Sequence, residues 1–489
     1  MGSVRVARRR RGFPERHAVK SEGRQRVSSR NRSSGRNRSS SAARKTLWPS
    51  LLATLLVGLL VPALAGAAWT TPVDLSKGGR DASRPQVAVD ADGDAVFTWE
   101  RFDGANWRIQ ARARSAAGTL SPVQTLSSAG QNAFGPQVAV DDAGDAVFTW
   151  SRSDGLNSRV QARARSAAGT LSAVQNLSDP GGNAHAPQVA VDADGDAVFT
   201  WSRDEGATPQ LAQARARSAA GALSAVQNLS DSGSDATAPF PQVAVDADGD
   251  AVFTWERVDG ANLRIQTRAR SAAGALSAVQ NLGQSAFIDV HRVGVDADGD
   301  AVFTWVRRDG TTDCGGFGCL RAQAQARSAA GALSGVQNLS KGGRDAFFPQ
   351  VAVDDDGDAV LTWARLDGSN SLVQARARSA AGTLSAVQTL SKSGRNAFAP
   401  QVAVDADGDA VFTWSRFDGT VPDPDLPCCA RIQARTRSAA GTLSGVQNLS
   451  AAGQDAFNPQ VGVDVAGNAV ATWHRFDGTN DRIQASAGP

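Results

Sequence analysis

The 489-residue sequence predicts an all-β fold, an eight-bladed β-propeller of four-stranded antiparallel blades. Three observations predict it. A 15-residue stretch, first read as PQVAVDADGDAVFTW, occurs eight times with small variations. Every repeat but the last contains four strand-like segments, and one lone strand segment precedes the first repeat. The eight copies cover residues 85–99, 136–150, 187–201, 241–255, 291–305, 349–363, 400–414 and 459–473.

Each repeat has the pattern of one blade. In the first repeat, QVAVD, AVFTWER, WRIQARARS and TLSPVQTLS are strand-like segments separated by Asp-Gly or Ala-Gly turns, and we name them strands A to D. Phe97 and Trp99 share one face of strand B. About 50 residues with four strands is the size of a propeller blade, whereas immunoglobulin-like sandwiches are about twice as long and solenoid coils about half.

The two ends of the repeat array predict that the ring is closed by the N-terminal strand. The last repeat stops after strand C, at 482–487, and has no strand D. The segment TTPVDLS at 70–76 matches strand D of the first repeat, SPVQTLS at 121–127. Pairing this segment with the last blade leaves no open sheet edge. A pair of four-bladed rings is the alternative, although no linker separates the fourth and fifth repeats.

The chain before the repeats predicts a secreted protein. Residues 1–46 carry 15 Lys or Arg and two acidic residues, with almost no apolar content, so we expect a basic, disordered n-region. Residues 47–68 are apolar and end in small residues, as in the h-region and cleavage site of a signal peptide. The propeller then occupies 69–489, in the extracellular space or at the cell surface. An uncleaved membrane anchor is the alternative, and the long n-region leaves the true translation start open.

The net charge of the repeat region argues against some classes of binding partner. After residue 46 the chain has 36 basic and 46 acidic residues, a net charge of −10. Such a body repels nucleic acid and anionic lipid. We therefore expect a monomer with an extracellular glycan or protein as its partner, and neither nucleic acid nor, after signal cleavage, membrane.

The four cysteines fit an oxidising compartment. Cys314 and Cys319 flank a Gly-rich loop in the fifth repeat, and Cys428 and Cys429 are adjacent in the seventh. Pairing within each repeat is the prediction. For the adjacent pair the alternatives are a vicinal disulfide ring and two free thiols.

The two ends of the blades differ in how much their sequence varies. Every A–B turn has the same length and every C–D turn is an Ala-Gly turn, whereas all length differences fall in the B–C and D–A loops. In a propeller the A–B and C–D turns share one face, here the turn face, and the B–C and D–A loops share the other, the loop face. Variable loops on a repeated scaffold commonly carry function, so the loop face is the predicted binding surface.

Candidate binding residues lie in the D–A loops, most of which read Gly-x-(Asp/Asn)-Ala followed by an aromatic ring. Amide, carboxylate and aromatic groups in a ring suit a sugar or a peptide, and an Asx-turn with a hydrophobic plug is the structural alternative. His291 and Phe317 join the set from the deviant fifth repeat. The loop residues are Asn132, Phe134, Asn183, His185, Asp345, Phe347, Asn396, Phe398, Asp455 and Phe457.

Two further patterns have a structural and a functional interpretation. We expect the eight strand-B tryptophans to wedge between neighbouring blades, each burying on the order of 200 Å²; an exposed aromatic platform is the alternative. The strand-C arginines, such as Arg112 and Arg114, predict interblade ion pairs, with an anion site as the alternative.

The turn motif DADGD raises the question of calcium, because Asp90, Asp92 and Asp94 alternate as hard oxygen ligands would. It resembles the DxDxDG loops of integrin-type propellers, but its glycine stands at the fourth place and no acid stands nine places in. A tight Asp-Gly turn explains the motif without metal. No cofactor is predicted, and calcium is the alternative.

No catalytic residue is predicted. The repeat region has three histidines and no tyrosine, and it lacks a nucleophile elbow, an HExxH motif and a phosphate-binding glycine loop. A carboxylate pair acting on polysaccharide remains open; for that case Asp313, Asp423 and His291 are the residues whose substitution tests catalysis.

The VDADGDAVxxW units resemble those of uncharacterised secreted bacterial β-propeller repeat proteins. The resemblance covers 70–489 and implies a fold without an activity. The predicted function is a non-enzymatic extracellular binding module that recognises glycan or protein on the loop face. The alternatives are a polysaccharide hydrolase or lyase using the same face, and a structural cell-envelope protein.

Overall fold

The structure is a computed structural model that describes residues 68–204, 210–231, 240–259, 262–285, 291–310, 314, 318–419 and 429–489. The predictions made for 1–46 and 47–68, and those that involve Asp313, Phe317, Asp423 and Cys428, lie outside these residues. Within the described ranges, no helical segment has the length and hydropathy of a transmembrane span.

The described chain forms eight four-stranded antiparallel sheets, as predicted. In each, strand A is innermost, strand D is outermost, and strand B is nearly all buried. Blades 1 to 4 comprise β2 (Ala82–Val89), β3 (Ala95–Phe102), β4 (Trp107–Arg114) and β5 (Gln124–Thr125); β6 (Ala133–Val140), β7 (Ala146–Ser153), β8 (Ser158–Arg165) and β9 (Gln175–Asn176); β10 (Ala184–Val191), β11 (Ala197–Asp204), β12 (Gln210–Arg217) and β13 (Gln227–Asn228); β14 (Gln242–Val245), β15 (Ala251–Asp259), β16 (Asn262–Arg270) and β17 (Gln280–Ser285).

Blades 5 to 8 follow the same order, and the last one takes its outer strand from the N-terminal part of the chain. They comprise β18 (Arg292–Val295), β19 (Ala301–Arg308), β20 (Leu320–Arg327) and β21 (Gln337–Asn338); β22 (Ala346–Val353), β23 (Ala359–Leu366), β24 (Ser371–Arg378) and β25 (Gln388–Thr389); β26 (Ala397–Val404), β27 (Ala410–Phe417), β28 (Ala430–Arg437) and β29 (Gln447–Asn448); β30 (Ala456–Val463), β31 (Ala469–Phe476) and β32 (Asp481–Gly488), with β1 (Val73–Asp74).

The predicted ring closure is confirmed. β1 pairs antiparallel with β32, Val73 opposite Ala485. Its flanks repeat the hydrogen bonds of an ordinary strand D, since the Ser76 hydroxyl accepts from the Ile483 N–H at 3.0 Å as the Ser127 hydroxyl accepts from the Ile109 N–H at 3.0 Å. Strand A of blade 4 packs against strand A of blade 5, and strand A of blade 8 packs against that of blade 1. One ring of eight blades therefore replaces the alternative of two rings.

The core lies between blades. Phe97 and Trp99 of blade 1 pack with Ile483 of blade 8, and Ile109 of blade 1 packs with Trp150 of blade 2. All eight strand-B tryptophans are fully buried. The predicted wedge is confirmed, because these rings fill the space between successive sheets and are not accessible to a ligand.

The strand-C arginines also bridge blades, but the prediction of ion pairs was wrong. Arg163 donates to the Leu126 carbonyl of the preceding blade at 3.1 Å, and the Arg165 Nε donates to Gln124 Oε1 at 3.0 Å. The outer strand of the neighbouring blade presents carbonyl oxygens and a glutamine at this point, so neutral acceptors take the guanidinium groups.

The turn face is built from aspartates that hold the backbone. Asp90 Oδ1 accepts from the N–H groups of Asp92 and Asp94, at 3.1 and 2.8 Å. Asp94 Oδ1 accepts from the Ala116 N–H at 2.7 Å and so joins the A–B turn to the C–D turn. Two of the three aspartates in the motif thus have structural roles in the turn itself.

Candidate functional site at the channel mouth

The D–A loops of the loop face are held by arginines from strand B. Arg101 donates to the carbonyl oxygens of Lys77, Gly78 and Arg80, the last at 2.7 Å. Arg203 does the same for the next-but-one loop, reaching the Gly182 carbonyl at 3.2 Å. Because the guanidinium group satisfies several loop carbonyls at once, these loops have a defined conformation before any ligand arrives.

The predicted Asx residues of these loops connect adjacent blades. Each uses its side-chain Oδ1 to accept a backbone N–H at the start of strand C in the preceding blade. The donors and distances are Trp107 to Asn132 at 2.8 Å, Ser158 to Asn183 at 2.9 Å, Leu320 to Asp345 at 2.9 Å, Ser371 to Asn396 at 2.8 Å, and Ala430 to Asp455 at 3.0 Å. Asp81 accepts from Asp481 at 3.1 Å in the same way, and the sequence analysis missed it.

Two of the predicted aromatic residues, Phe398 and Phe457, meet in blades 7 and 8. Their ring centroids are 6.1 Å apart, and each ring touches a further one, Phe417 at 5.3 Å and His474 at 5.9 Å. These four rings form a partly buried aromatic row on the loop face. Elsewhere His185 meets Phe240 at 6.4 Å.

Of the predicted binding residues in the fifth repeat, the structure describes His291, and this prediction needs a correction. His291 is 1 % exposed, with Nδ1 3.3 Å from Glu256 Oε1 and Nε2 3.3 Å from the Thr254 carbonyl oxygen. It stands where other repeats have a proline, and its imidazole fills the interface between blades 4 and 5. This residue is therefore part of the blade interface and not of a ligand-binding surface.

The cysteines give one disulfide and one free thiol among the described residues. Cys314 and Cys319 are bonded, with Cα atoms 5.0 Å apart. Their sulfurs lie within 4.8 Å of a carboxylate oxygen of Asp345, but a disulfide offers no thiolate to a metal. Cys429 is a free, buried thiol, which corrects the predicted disulfide there. Its N–H and carbonyl are hydrogen-bonded to Asp455 and Asp418 at the base of the hairpin, and this anchors the residue.

The sequence analysis missed a ring of strained residues directly before the strand-A prolines. A bulge in strand A, seen as a register shift between Ser83 and Gln86 in blade 1, puts these residues in the left-handed region. The same position is left-handed in all seven blades where it is described. The residues and φ angles are Arg84 (52°), Gly135 (62°), Ala186 (50°), Phe240 (38°), Phe348 (52°), Ala399 (50°) and Asn458 (53°).

This position, which we call the pre-proline ring, carries a different side chain in most blades. A non-glycine residue with positive φ costs roughly 1–2 kcal/mol. Neighbouring blades offset part of the strain, since Glu100 Oε1 accepts the Gly135 N–H at 2.8 Å and the Ser202 hydroxyl accepts the Phe240 N–H at 3.2 Å. A signal was present in the sequence, because the residue before the strand-A motif varies between repeats while the motif reads PQVAV in six of the eight.

A cavity of about 190 Å³ opens at this ring, between blades 7, 8, 1 and 2. Its lining includes four members of the pre-proline ring, Arg84, Gly135, Ala399 and Asn458, together with strand-A prolines. It also includes Gln86, Gln137, Gln401 and Gln460, each from strand A of one of the four blades. The cavity thus combines amide donors and acceptors with one cation.

The charged pair of the cavity is Arg84 and Glu100. Arg84 Nη1 donates to Glu100 Oε1 at 3.0 Å, with the arginine side chain 62 % exposed and the glutamate side chain 4 % exposed. Burial raises the pKa of Glu100, although the hydrogen bonds from Gly135 and Arg84 act in the opposite direction. Glu100 therefore anchors an arginine whose outer part faces solvent at the rim.

No family model matches this chain, and no curated protein matches it. The chain is similar to the β-propeller domain of the trilobed protease from Pyrococcus furiosus, at 7 % identity and a TM-score of 0.46 over 76 % of this chain and 98 % of that one. A protein of unknown function from Dyadobacter fermentans has 10 % identity and a TM-score of 0.41 over 87 % and 99 %. The polysaccharide lyase Uly1 has 11 % identity and a TM-score of 0.42 over 72 % and 88 %. Low identity and TM-scores below 0.5 give these similarities no weight in assigning a function.

Proposed function

We propose that this protein is a non-enzymatic binding module that takes a glycan at the loop-face mouth of its channel. The observation that carries the proposal is the pre-proline ring. One strained backbone position recurs around the mouth, and its side chain changes from blade to blade. Strain retained at a surface position whose side chains vary is typical of a recognition site.

The chemistry of the cavity favours a sugar. Glutamine and asparagine amides donate and accept, so they match hydroxyl groups. Proline rings in the walls and the nearby Phe398 and Phe457 offer apolar surface to the C–H faces of a sugar ring. The arginine clamps such as Arg101 hold the loops in place, which lowers the entropic cost of binding.

The compartment follows from the same proposal. The predicted signal peptide and the Cys314–Cys319 disulfide both fit secretion to the extracellular space or the cell surface. A glycan ligand is available there. Peptide mapping of the secreted protein, with a first residue near 69, tests this part of the proposal.

A hydrolase or lyase acting on polysaccharide is the second candidate, favoured by two buried ionisable groups near the mouth. Burial raises the pKa of Glu100 and lowers the pKa of His474. Groups perturbed by burial in a cleft are candidates for acid–base catalysis. An enzyme of this kind releases reducing ends or unsaturated products from a bound polysaccharide, and Glu100→Gln abolishes that release.

A glycan array with the purified protein, with and without EDTA, tests the binding proposal and calcium together. We expect binding to a restricted set of glycans, lost in Asn458→Ala together with Phe457→Ala. Val336→Ala, on the outer strand of blade 5 and 44 % exposed at that valine, is the matched control and retains binding. Binding to a protein partner with no glycan signal would overturn the glycan assignment.

A further inference from the structure

We infer that the ligand carries a carboxylate, as the uronic acid residues of an acidic glycan do, and that Arg84 anchors it. This inference rests on the proposed function and names the class of glycan. It follows from the donors that Arg84 leaves open, from the position of Glu100, from the size of the cavity and from the basic residues in the D–A loop of blade 1.

Arg84 has the geometry of an anchor for an anion. Its backbone is held left-handed at φ 52°, directly before Pro85, so the side chain leaves the bulge at a fixed place on the rim. Among the described residues, its guanidinium makes one hydrogen bond, from Nη1 to Glu100. An arginine has five N–H donors in a planar fork that fits a carboxylate with two parallel hydrogen bonds.

Glu100 holds one end of the Arg84 guanidinium while most of the arginine side chain stays exposed. It is the buried partner, it lies on strand B of the same blade, and it also accepts the Gly135 N–H of the next blade at 2.8 Å. The equivalent glutamate of blade 4, Glu256, lies beside the imidazole of His291. Of the blades described here, blade 1 therefore pairs a buried glutamate with an exposed arginine at the mouth.

The cavity limits what enters it. Pockets that enclose a drug-sized ligand have volumes of about 300–1,000 Å³, and this one has about 190 Å³. We therefore expect it to enclose only part of an oligosaccharide. The lining glutamines then offer amide groups to hydroxyl groups while Arg84 meets the carboxylate.

Further basic residues lie in the D–A loop that enters blade 1. Lys77 and Arg80 belong to this loop, and Asp81 is its one acidic residue. The local excess of positive charge favours an anionic group near Arg84.

The test compares acidic oligosaccharides with their methyl esters, which keep the sugar and remove the charge. Tetragalacturonate and a hyaluronan hexasaccharide, each with its ester, are titrated calorimetrically into the full protein. We expect the acid form of at least one to bind about tenfold or more tighter than its ester, since a charge-assisted hydrogen bond contributes roughly twice a neutral one. Added salt should weaken the acid form alone.

Substitutions of Arg84 test whether this residue causes the difference in affinity between the acid and its ester. Arg84→Gln lowers the affinity for the acid form to that of the ester, and Arg84→Lys gives an intermediate loss. Arg344→Gln removes an exposed arginine from the D–A loop of blade 6 and matches the change in charge, so it leaves binding unchanged. Thermal melting of each variant shows that it is folded.

The outcomes separate the two proposals. Equal affinity for acid and ester, or an Arg84→Gln variant that binds the acid form normally, overturns the inference. Neutral glycans bound on the array, with no binding of either uronate, also overturn it while the proposed function stands. Absence of binding to any glycan, charged or neutral, overturns both.

Discussion

The turn face and the loop face are made from the same eight repeats, and they use aspartate and asparagine in different ways. On the turn face, Asp90 and Asp94 bond backbone within their own blade. On the loop face, Asn132 and Asn183 bond backbone of the preceding blade. Side-chain hydrogen bonds hold the backbone on both faces, but the loop face carries the more variable exposed position, the pre-proline ring. A scaffold of this kind can vary its recognition surface without altering the contacts between blades.

The largest expected effect is on the turn face, at a glycine that touches the preceding blade. Gly144 has φ 79°, and a Cβ there would lie 2.9 Å from Asp90 Oδ2. Gly144→Ala should lower the free energy of unfolding by about 2 kcal/mol or more, from backbone strain and this close contact together. Chemical denaturation measures it.

Gly130 supplies the matched control on the loop face. It has φ 87° and no atom within 4 Å of the added Cβ. Gly130→Ala should therefore cost only the backbone strain, about 1 kcal/mol. Equal losses in the two variants would show that the contact with Asp90 contributes nothing.

The next largest loss of stability is expected when one hydrogen bond between blades on the loop face is removed. Asn132→Ala removes the acceptor of the Trp107 N–H and should cost about 1 kcal/mol of stability. Asn132→Asp should restore it, because Asp345 has the same role in blade 6. If the alanine variant kept full stability and lost glycan binding, Asn132 would be a ligand contact and not a link.

The pre-proline ring predicts a pair of smaller, opposite effects. Ala399 is left-handed at φ 50°, so Ala399→Gly relieves strain and should stabilise the fold by about 0.5–1 kcal/mol after the entropy gained by the unfolded chain. Gly135→Ala should destabilise it by a similar amount. Melting temperatures that move in the same direction for both variants would contradict the assigned conformation.

The smallest expected effect is a difference between the two faces in how the stability of the fold depends on pH. Burial raises the pKa of Asp90, whereas the N–H groups of Asn157 and Leu156 lower the pKa of Asp154 on the loop face. A carboxyl group whose pKa is higher in the folded protein than in the unfolded chain, where it is about 3.9, stabilises the fold fully at a pH below about 3.9. This contribution is lost as the pH rises through the pKa of the folded state. A carboxyl group whose pKa is lower in the folded protein stabilises the fold at a pH above the unfolded value. That contribution is lost as the pH falls through the pKa of the folded state.

Two isosteric variants therefore shift the pH dependence in opposite directions. In Asp90→Asn, the free energy of unfolding should decrease less than in the parent protein as the pH rises from acidic to neutral. In Asp154→Asn, it should decrease less than in the parent protein as the pH is lowered. Denaturation curves across pH 3 to 7 measure both slopes. Identical slopes in the two variants and the parent protein would contradict the assigned causes of the shifts.

Much of the fold could be predicted from the sequence because it depends on local pattern. Alternation within each repeat places Phe97 and Trp99 on one face of strand B, and the unmatched strand D at 70–76 predicts the pairing with β32. Burial of apolar surface between sheets then follows wherever the partner blade lies. Because each repeat forms one blade, the number of blades could be counted from the sequence.

Tertiary structure alone decided which groups meet across the blades. The acceptors of Arg163 and Arg165, the partner of Asn132 and the burial of His291 depend on residues of neighbouring blades, 25 to 41 positions away, which no local pattern encodes. The backbone conformation of Arg84 is the clearest case of a feature that only the tertiary structure decides. A residue before proline ordinarily favours extended backbone, and only the bulge imposed by pairing with strand B holds it left-handed at the mouth of the channel.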